Sequence, residues 1–203
     1  MLIAGEARAG ATEPAEVAAP PPRCSAMGCS TRVLAPVTRI ATTEVLMMSG
    51  LMLLLPEQID PMQVERNRAQ FVRSWTEHPI LLFHKNFFES DGDPWAFNVF
   101  AHGLFGSETY LAARGWGHSP FVSALFSLLS SFFWEFMIES WSQQPSTVDL
   151  VWTPLGGSIL GELRYQAYMA SKRGIRVKGL RIALMIVLDP LGEVERLMVG
   201  CER

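Results

Sequence analysis

The sequence predicts an all-α protein, a small bundle of apolar helices whose polar residues face inward. Two observations predict it. Hydrophobic residues make up 49% of the 203 residues and charged residues only 18%, against roughly 25% charged in an average soluble chain. From 95 to 174, polar residues recur every fourth position along otherwise apolar stretches, a spacing that stacks them on one helical face.

The elements follow in chain order. Residues 1–36, rich in Ala, Pro, Glu and Gly, predict a disordered tail. Residues 37–92 predict short helices and a connecting segment. The first helix covers 40–55 and stops at Pro56. Its apolar run, 45–55, is similar to the central region of an export signal, with Arg32 and Arg39 before it, but no Ala-x-Ala site follows. That run also falls short of the ~20 residues that span a bilayer. A short buried or interfacial helix and a degenerate export signal both remain open here. Residues 62–77, with Val64, Phe71, Val72 and Trp75 among charged neighbours, predict an amphipathic surface helix.

Residues 93–203 predict the apolar helical domain, with its core at 95–174. Asp93 as cap and Pro94 at the first position start a helix over 95–114, which ends at Gly115. Ser119-Pro120 starts a second helix that reaches about 142. From 121 to 138 its one charge is Glu135, and Gln143-Gln144-Pro145 breaks it. Ser146 and Asp149 have the spacing of a capping box. Thr153-Pro154 restarts or kinks the segment, giving a third helix from there to about 171. Residues 181–188 are apolar and fit helix or strand, and Asp189-Pro190 ends them.

The stripes carry the candidate chemistry. The first helix aligns Asn98, His102, Gly106, Tyr110 and Arg114. The second aligns Ser123, Ser127, Ser131, Glu135 and Glu139. The third segment aligns Asp149, Thr153, Gly157, Gly161 and Tyr165. An ordinary surface helix carries one apolar stripe. Here narrow polar stripes run along apolar cylinders, so they face one another, because unpaired buried charge is very costly. His102, Glu135, Glu139 and Asp149 are the candidate catalytic residues, and Asn98, Tyr110 and Arg114 the candidate substrate-binding ones. The structural alternative has Arg114 neutralising Glu139 or Glu135 and the serines bonding back to their own helices. A short connection around Gly117 makes the first two helices an antiparallel hairpin. In it His102 and Glu135 fall at similar depth. The expectation is one buried cluster of His102, Arg114, Glu135 and Glu139, with Asp149 at its edge. Gly157 and Gly161 let two helices approach closely and suit contact between copies of the chain.

A net charge of −3 gives no electrostatic case for nucleic acid. Cys24, Cys29 and Cys201 match no zinc spacing and read as incidental. There is no His-Glu-x-x-His and no Gly-x-Ser-x-Gly, so no metal or cofactor is named by a motif. A His with carboxylates can nevertheless move protons or hold a divalent ion.

The stretch 95–162 resembles an uncharacterised bacterial envelope family, the domain-of-unknown-function family numbered 3943. The resemblance rests on Asn98, His102-Gly103, Gly106-Ser107, Tyr110, Ala113-Arg114, Trp134-Glu135-Phe136 with Glu139, and Pro145-Ser146. It continues through Asp149-Leu150, Thr153-Pro154, Gly157 and Gly161-Glu162, with Asp189-Pro190 and Arg196 fitting a later piece. A looser likeness is to VanZ-like integral membrane proteins, which also run from a His helix to a Glu helix to Ser-x-x-Asp before a Gly-x-x-x-Gly helix. Both resemblances imply a bacterial membrane or cell-envelope location, inner or outer, and contact with membrane lipid. The function expected is a lipid-binding or assembly module of unestablished activity. The alternative is a membrane-embedded hydrolase or transferase acting on a lipid-linked envelope substrate through the His/Glu/Asp centre.

Overall fold

The computed structural model describes residues 29–54, 62–79, 88 and 94–199, and all regular structure among them is helical. The Asp93 cap, the stop at Pro56, residues 1–28 of the expected tail, Cys24 and Cys201 lie outside the described residues. Seven α-helices follow in order: α1 (Cys29–Leu54), α2 (Val64–Thr76), α3 (Gly103–Gly115), α4 (Pro120–Phe133), α5 (Thr147–Gly174), α6 (Lys178–Leu188) and α7 (Pro190–Val199). Three shorter helical stretches join them: wide π-helical turns at Phe97–His102 and Trp134–Ile138, and a 3₁₀ turn at Glu139–Trp141.

The central helices begin and end where their cap residues dictate. Ser119 is extended, its hydroxyl accepts from the Val122 N–H, and Pro120 fills the first position of α4. Gly117 takes a left-handed φ of +80° in the turn after α3, a conformation that costs glycine little. Ser146 caps α5, its hydroxyl accepting from the Asp149 N–H at 3.4 Å. Residues 181–188 are helix, within α6.

Two expected boundaries are corrected. The helix expected over 40–55 begins at Cys29, so 29–36 belong to α1 rather than to a tail, and Pro36 sits inside the helix. Helix α5 runs unbroken from Thr147 through Pro154. In each case packing overrides the local cost of a proline, roughly 3 kcal/mol for the lost donor and the ring clash.

Helices α3, α4 and α5 form the centre, each packed on the other two; α1 lies on α3, α6 on α5, and α7 on α6 and α3. The closest approach is α3 on α5. A Cβ built on Gly157 would meet Gly106 Cα and carbonyl C at 2.5 Å, and one on Gly161 would meet the Tyr110 ring at 2.7 Å. The close approach expected of these two glycines is thus made within the chain.

The polarity of the bundle is inverted, as the stripes predict. Among the described residues, more polar than apolar side chains are buried, including Asn98, His102, Ser123, Ser127, Ser131, Glu135, Asp149 and Thr153. The outer faces of three helices are apolar: Phe121, Leu125, Leu129 and Phe133 on α4, Leu155, Ile159 and Leu163 on α5, and Leu46, Leu53 and Leu54 on α1 are exposed. Ser127, Ser130 and Ser131 of α4 bond across to other helices, whereas buried Ser107 and Ser140 do bond back, to Leu104 O and Phe136 O. Ser127 Oγ donates to Gly106 O at 3.0 Å and Ser131 Oγ to Asp149 O at 3.0 Å, so α4 is stitched to α3 and α5. Ser130 Oγ donates to Glu44 of α1 at 2.8 Å. Two stretches, Thr31–Leu54 and Pro120–Trp141, are long and apolar enough to cross a membrane.

Candidate metal centre

Three elements meet at the site, and two of them change their winding there. His102 is the last residue of the first π turn, Glu135 the second residue of the other, and Asp149 lies in the first turn of α5. A π turn adds a residue to the helical repeat and re-aims the side chains around it, a device found often at functional sites. All three residues are buried, and one potential ligand atom from each lies within 4.8 Å of the other two. His102 Nδ1 stands 3.3 Å from Asp149 Oδ1 and 3.1 Å from Thr153 Oγ1. Glu135 Oε2 accepts the Ser146 N–H at 2.8 Å, so it also faces the positive end of the α5 dipole. The Glu135 carboxyl is buried, and Glu139 is its side-chain hydrogen-bonding neighbour. The carboxylates of Glu139 and Asp149 act on Glu135 as like charges.

Glu139 stands at the rim. It is half-buried, accepts the Trp134 indole N–H at 2.8 Å and is held by the Gln143 amide. It shares the lining of a cavity of about 410 Å³ with His102. That is within the usual 300–1,000 Å³ of small-molecule sites. Asn98 is fully buried one turn before His102 and donates from its amide to Phe88 O at 3.1 Å.

The expected cluster is therefore brought together in part. His102 and Glu135 do share one depth, and Asp149 is a full member rather than an edge residue, because α5 starts directly against the second π turn. Arg114 is elsewhere, which corrects both the expected convergence and its pairing with Glu135 or Glu139. It lies twelve positions along the chain from His102, about 18 Å at 1.5 Å per residue. There Arg114 donates from Nε to Glu162 Oε2 at 2.9 Å and from Nη1 to His118 O at 3.0 Å, and its guanidinium covers the Tyr165 ring.

Tyr110 belongs to that second group, its hydroxyl donating to Glu162 Oε2 at 2.5 Å. Burial opposes ionisation of Glu162, but hydrogen bonds from Arg114, Tyr110 and Gln166 outweigh it and hold the carboxyl at about 2. The same burial, with the Glu162 charge beside it, raises the Tyr110 hydroxyl above its ordinary value. This group ties α3 to α5 beside the α3–α4 turn.

Sequence reasoning missed a third buried group. Arg39 of α1 donates from Nη2 to Asp189 Oδ1 at 2.6 Å and to Glu108 Oε2 at 3.0 Å. Arg164 pairs with the other oxygen of Glu108 at 2.5 Å and donates to Leu188 O at 3.0 Å. Asp189 in turn accepts the Gly192 N–H, capping α7. The one available signal was Asp189-Pro190, a helix break whose aspartate serves two elements.

An all-helical bundle with a polar interior and an apolar exterior is the class this fold and site define. The chain belongs to the family described as domain of unknown function (DUF3943), whose model matches residues 87–191, from just before the first π turn to the start of α7. No curated protein and no solved structure shows a significant match to the chain.

Proposed function

We propose that this protein is a membrane-embedded helical module that holds a divalent cation at His102, Glu135 and Asp149. The observation that carries the reading is the buried triad itself. Two carboxylates held this close, out of water and beside an imidazole, share a proton or a cation, and the three together present the donor set of a metal ion. An imidazole with carboxylates is a donor set for Zn²⁺, Mn²⁺ or Fe²⁺. At the usual 2.0–2.2 Å, ligand atoms on one ion lie up to about 4.4 Å apart. Small side-chain rotations close the rest. Ser131 fixes the start of α5 through Asp149 O, and Thr153 Oγ1 shares the His102 Nδ1 with Asp149.

The membrane part of the reading is supported by the inverted polarity and by the two long apolar helices. Exposed leucine and phenylalanine faces over so much of a small bundle are favourable against lipid and unfavourable against water. A bacterial cell-envelope location belongs to the same proposal and rests on the resemblance. Three protein ligands leave coordination positions open, as catalytic rather than closed structural sites do. This favours a hydrolase or transferase as the second reading, with Glu139 at the cavity as the acid–base candidate.

The test is a Mn²⁺ titration of the purified full-length protein in detergent, followed by electron paramagnetic resonance. Wild type should bind one equivalent. Asp149→Asn and Glu135→Gln should weaken binding by tenfold or more. Affinities unchanged in both variants, or no binding by wild type, would refute the site.

A further inference from the structure

We propose that the cavity beside the triad takes one acyl chain of an amphiphile with an uncharged, hydroxyl-bearing head, the chemistry of a monoacylglycerol. The inference rests on the cation reading for the head and on the cavity alone for the chain.

The cavity lining is mixed: Met47 and Leu51 of α1 with Phe97, Phe105 and Trp134 are its apolar side chains, and His102, Glu139, Ser142 and Gln143 its polar ones. Leu54 lines the cavity and is also 81% exposed, so the cavity opens where the described part of α1 ends. An acyl chain entering sideways from lipid would exchange one apolar surrounding for another while its head reached His102 and Glu139. Gly50 contributes to the room: a Cβ built there meets nothing within 4 Å.

Charge selects the head. The two carboxylates of the triad balance one divalent ion, and ionised Glu139 in the cavity lining makes the polar lining net negative. His102 is the triad member that reaches the cavity. An oxyanion head would meet Glu139, whose carboxylate is already fixed by Trp134 and Gln143. A hydroxyl head fits both partners instead. It donates to the remaining acceptor capacity of Glu139, and its lone pair completes the coordination of the ion. The same chain with a carboxylate head lacks the donor and adds repulsion.

The experiment uses the full chain in amine-oxide micelles, whose heads carry no hydroxyl. Mn²⁺-loaded protein is titrated with monolauroylglycerol, and with lauric acid in parallel, and adducts are counted by native mass spectrometry. Wild type should carry one monolauroylglycerol and take lauric acid at least tenfold more weakly. Gly50→Phe, which fills the cavity from an open position, should lose the adduct by tenfold or more with Mn²⁺ stoichiometry unchanged. Leu51→Trp repeats the test from the next position should Gly50→Phe fail to fold. Equal adducts in the filled variants, or no adduct on wild type, would overturn the cavity assignment. Preference for lauric acid would overturn the head. A protein that takes up no Mn²⁺ but still shows a Gly50-sensitive adduct would remove the cation reading and leave the acyl-chain site standing.

Discussion

Gly157→Leu should be among the most damaging single substitutions in the bundle, preventing the native packing of α3 on α5. The Cβ alone would lie 2.5 Å from Gly106 Cα and carbonyl C and 2.8 Å from the Ser107 N. These are backbone atoms, which cannot rotate away as a side chain can. The helices must separate, and separation breaks what crosses the same interface: the His102–Thr153 contact, the Trp152 bond to Val99 O at 3.1 Å and the Arg114–Glu162 pair. Overpacking usually costs about 1–3 kcal/mol, and the loss of those partners adds to it. Gly161→Leu should follow in severity, because the Tyr110 ring it meets is pinned by the Glu162 bond. Gly174→Ala is the control, with nothing within 4 Å of the new Cβ. Thermal melts in detergent read the series. A Gly157→Leu protein melting with wild type would mean that α3 and α5 are not in contact.

Arg39→Met should destabilise the protein by about 3–5 kcal/mol, the usual cost of removing one partner from a buried charge pair. The methionine fills much of the space, so the loss is electrostatic. Asp189 and Glu108 would keep their negative charges in a buried site. Arg164 still serves Glu108 and the Gly192 N–H still serves Asp189, which places the cost toward the lower end. A second substitution separates charge from packing. Asp189→Asn keeps an oxygen for the α7 cap and removes the charge, so Arg39→Met with Asp189→Asn should recover part of the loss. Were the double variant to lose the sum of both single effects, the two side chains would be acting independently.

The fold was largely legible because its signals are local. Ser119-Pro120 and Ser146 with Asp149 set helix starts that one turn of backbone geometry decides. The four-residue stripes state which face is buried. Long-range partners were not legible. Arg39 meets an aspartate 150 positions away, and nothing in either neighbourhood marks the pair. Arg114 was assigned to the wrong carboxylate because a stripe gives the face of a helix but not which residue lies at the same depth on the next one. Glu162 stands off the stripe of its own helix by one position, yet the length of the Arg114 side chain spans the difference. The π turns left no mark either: both occur in stretches whose composition suits an α-helix, so the full inclusion of Asp149 came from a change of winding that periodicity does not record. The start of α1 is masked by the Ala- and Pro-rich composition of the first 36 residues, which reads as tail although 29–36 join the helix that packs on α3.

The account stands on the inverted polarity, with buried hydroxyls and carboxylates inside and leucine and phenylalanine outside. Alkaline carbonate extraction of cells expressing the untagged full-length chain tests it most directly, because carbonate strips peripheral proteins and leaves lipid-embedded ones in the pellet. The prediction is that most of the protein stays in the membrane pellet and is released by detergent. Recovery of most of it as a soluble monomer without detergent would contradict the account.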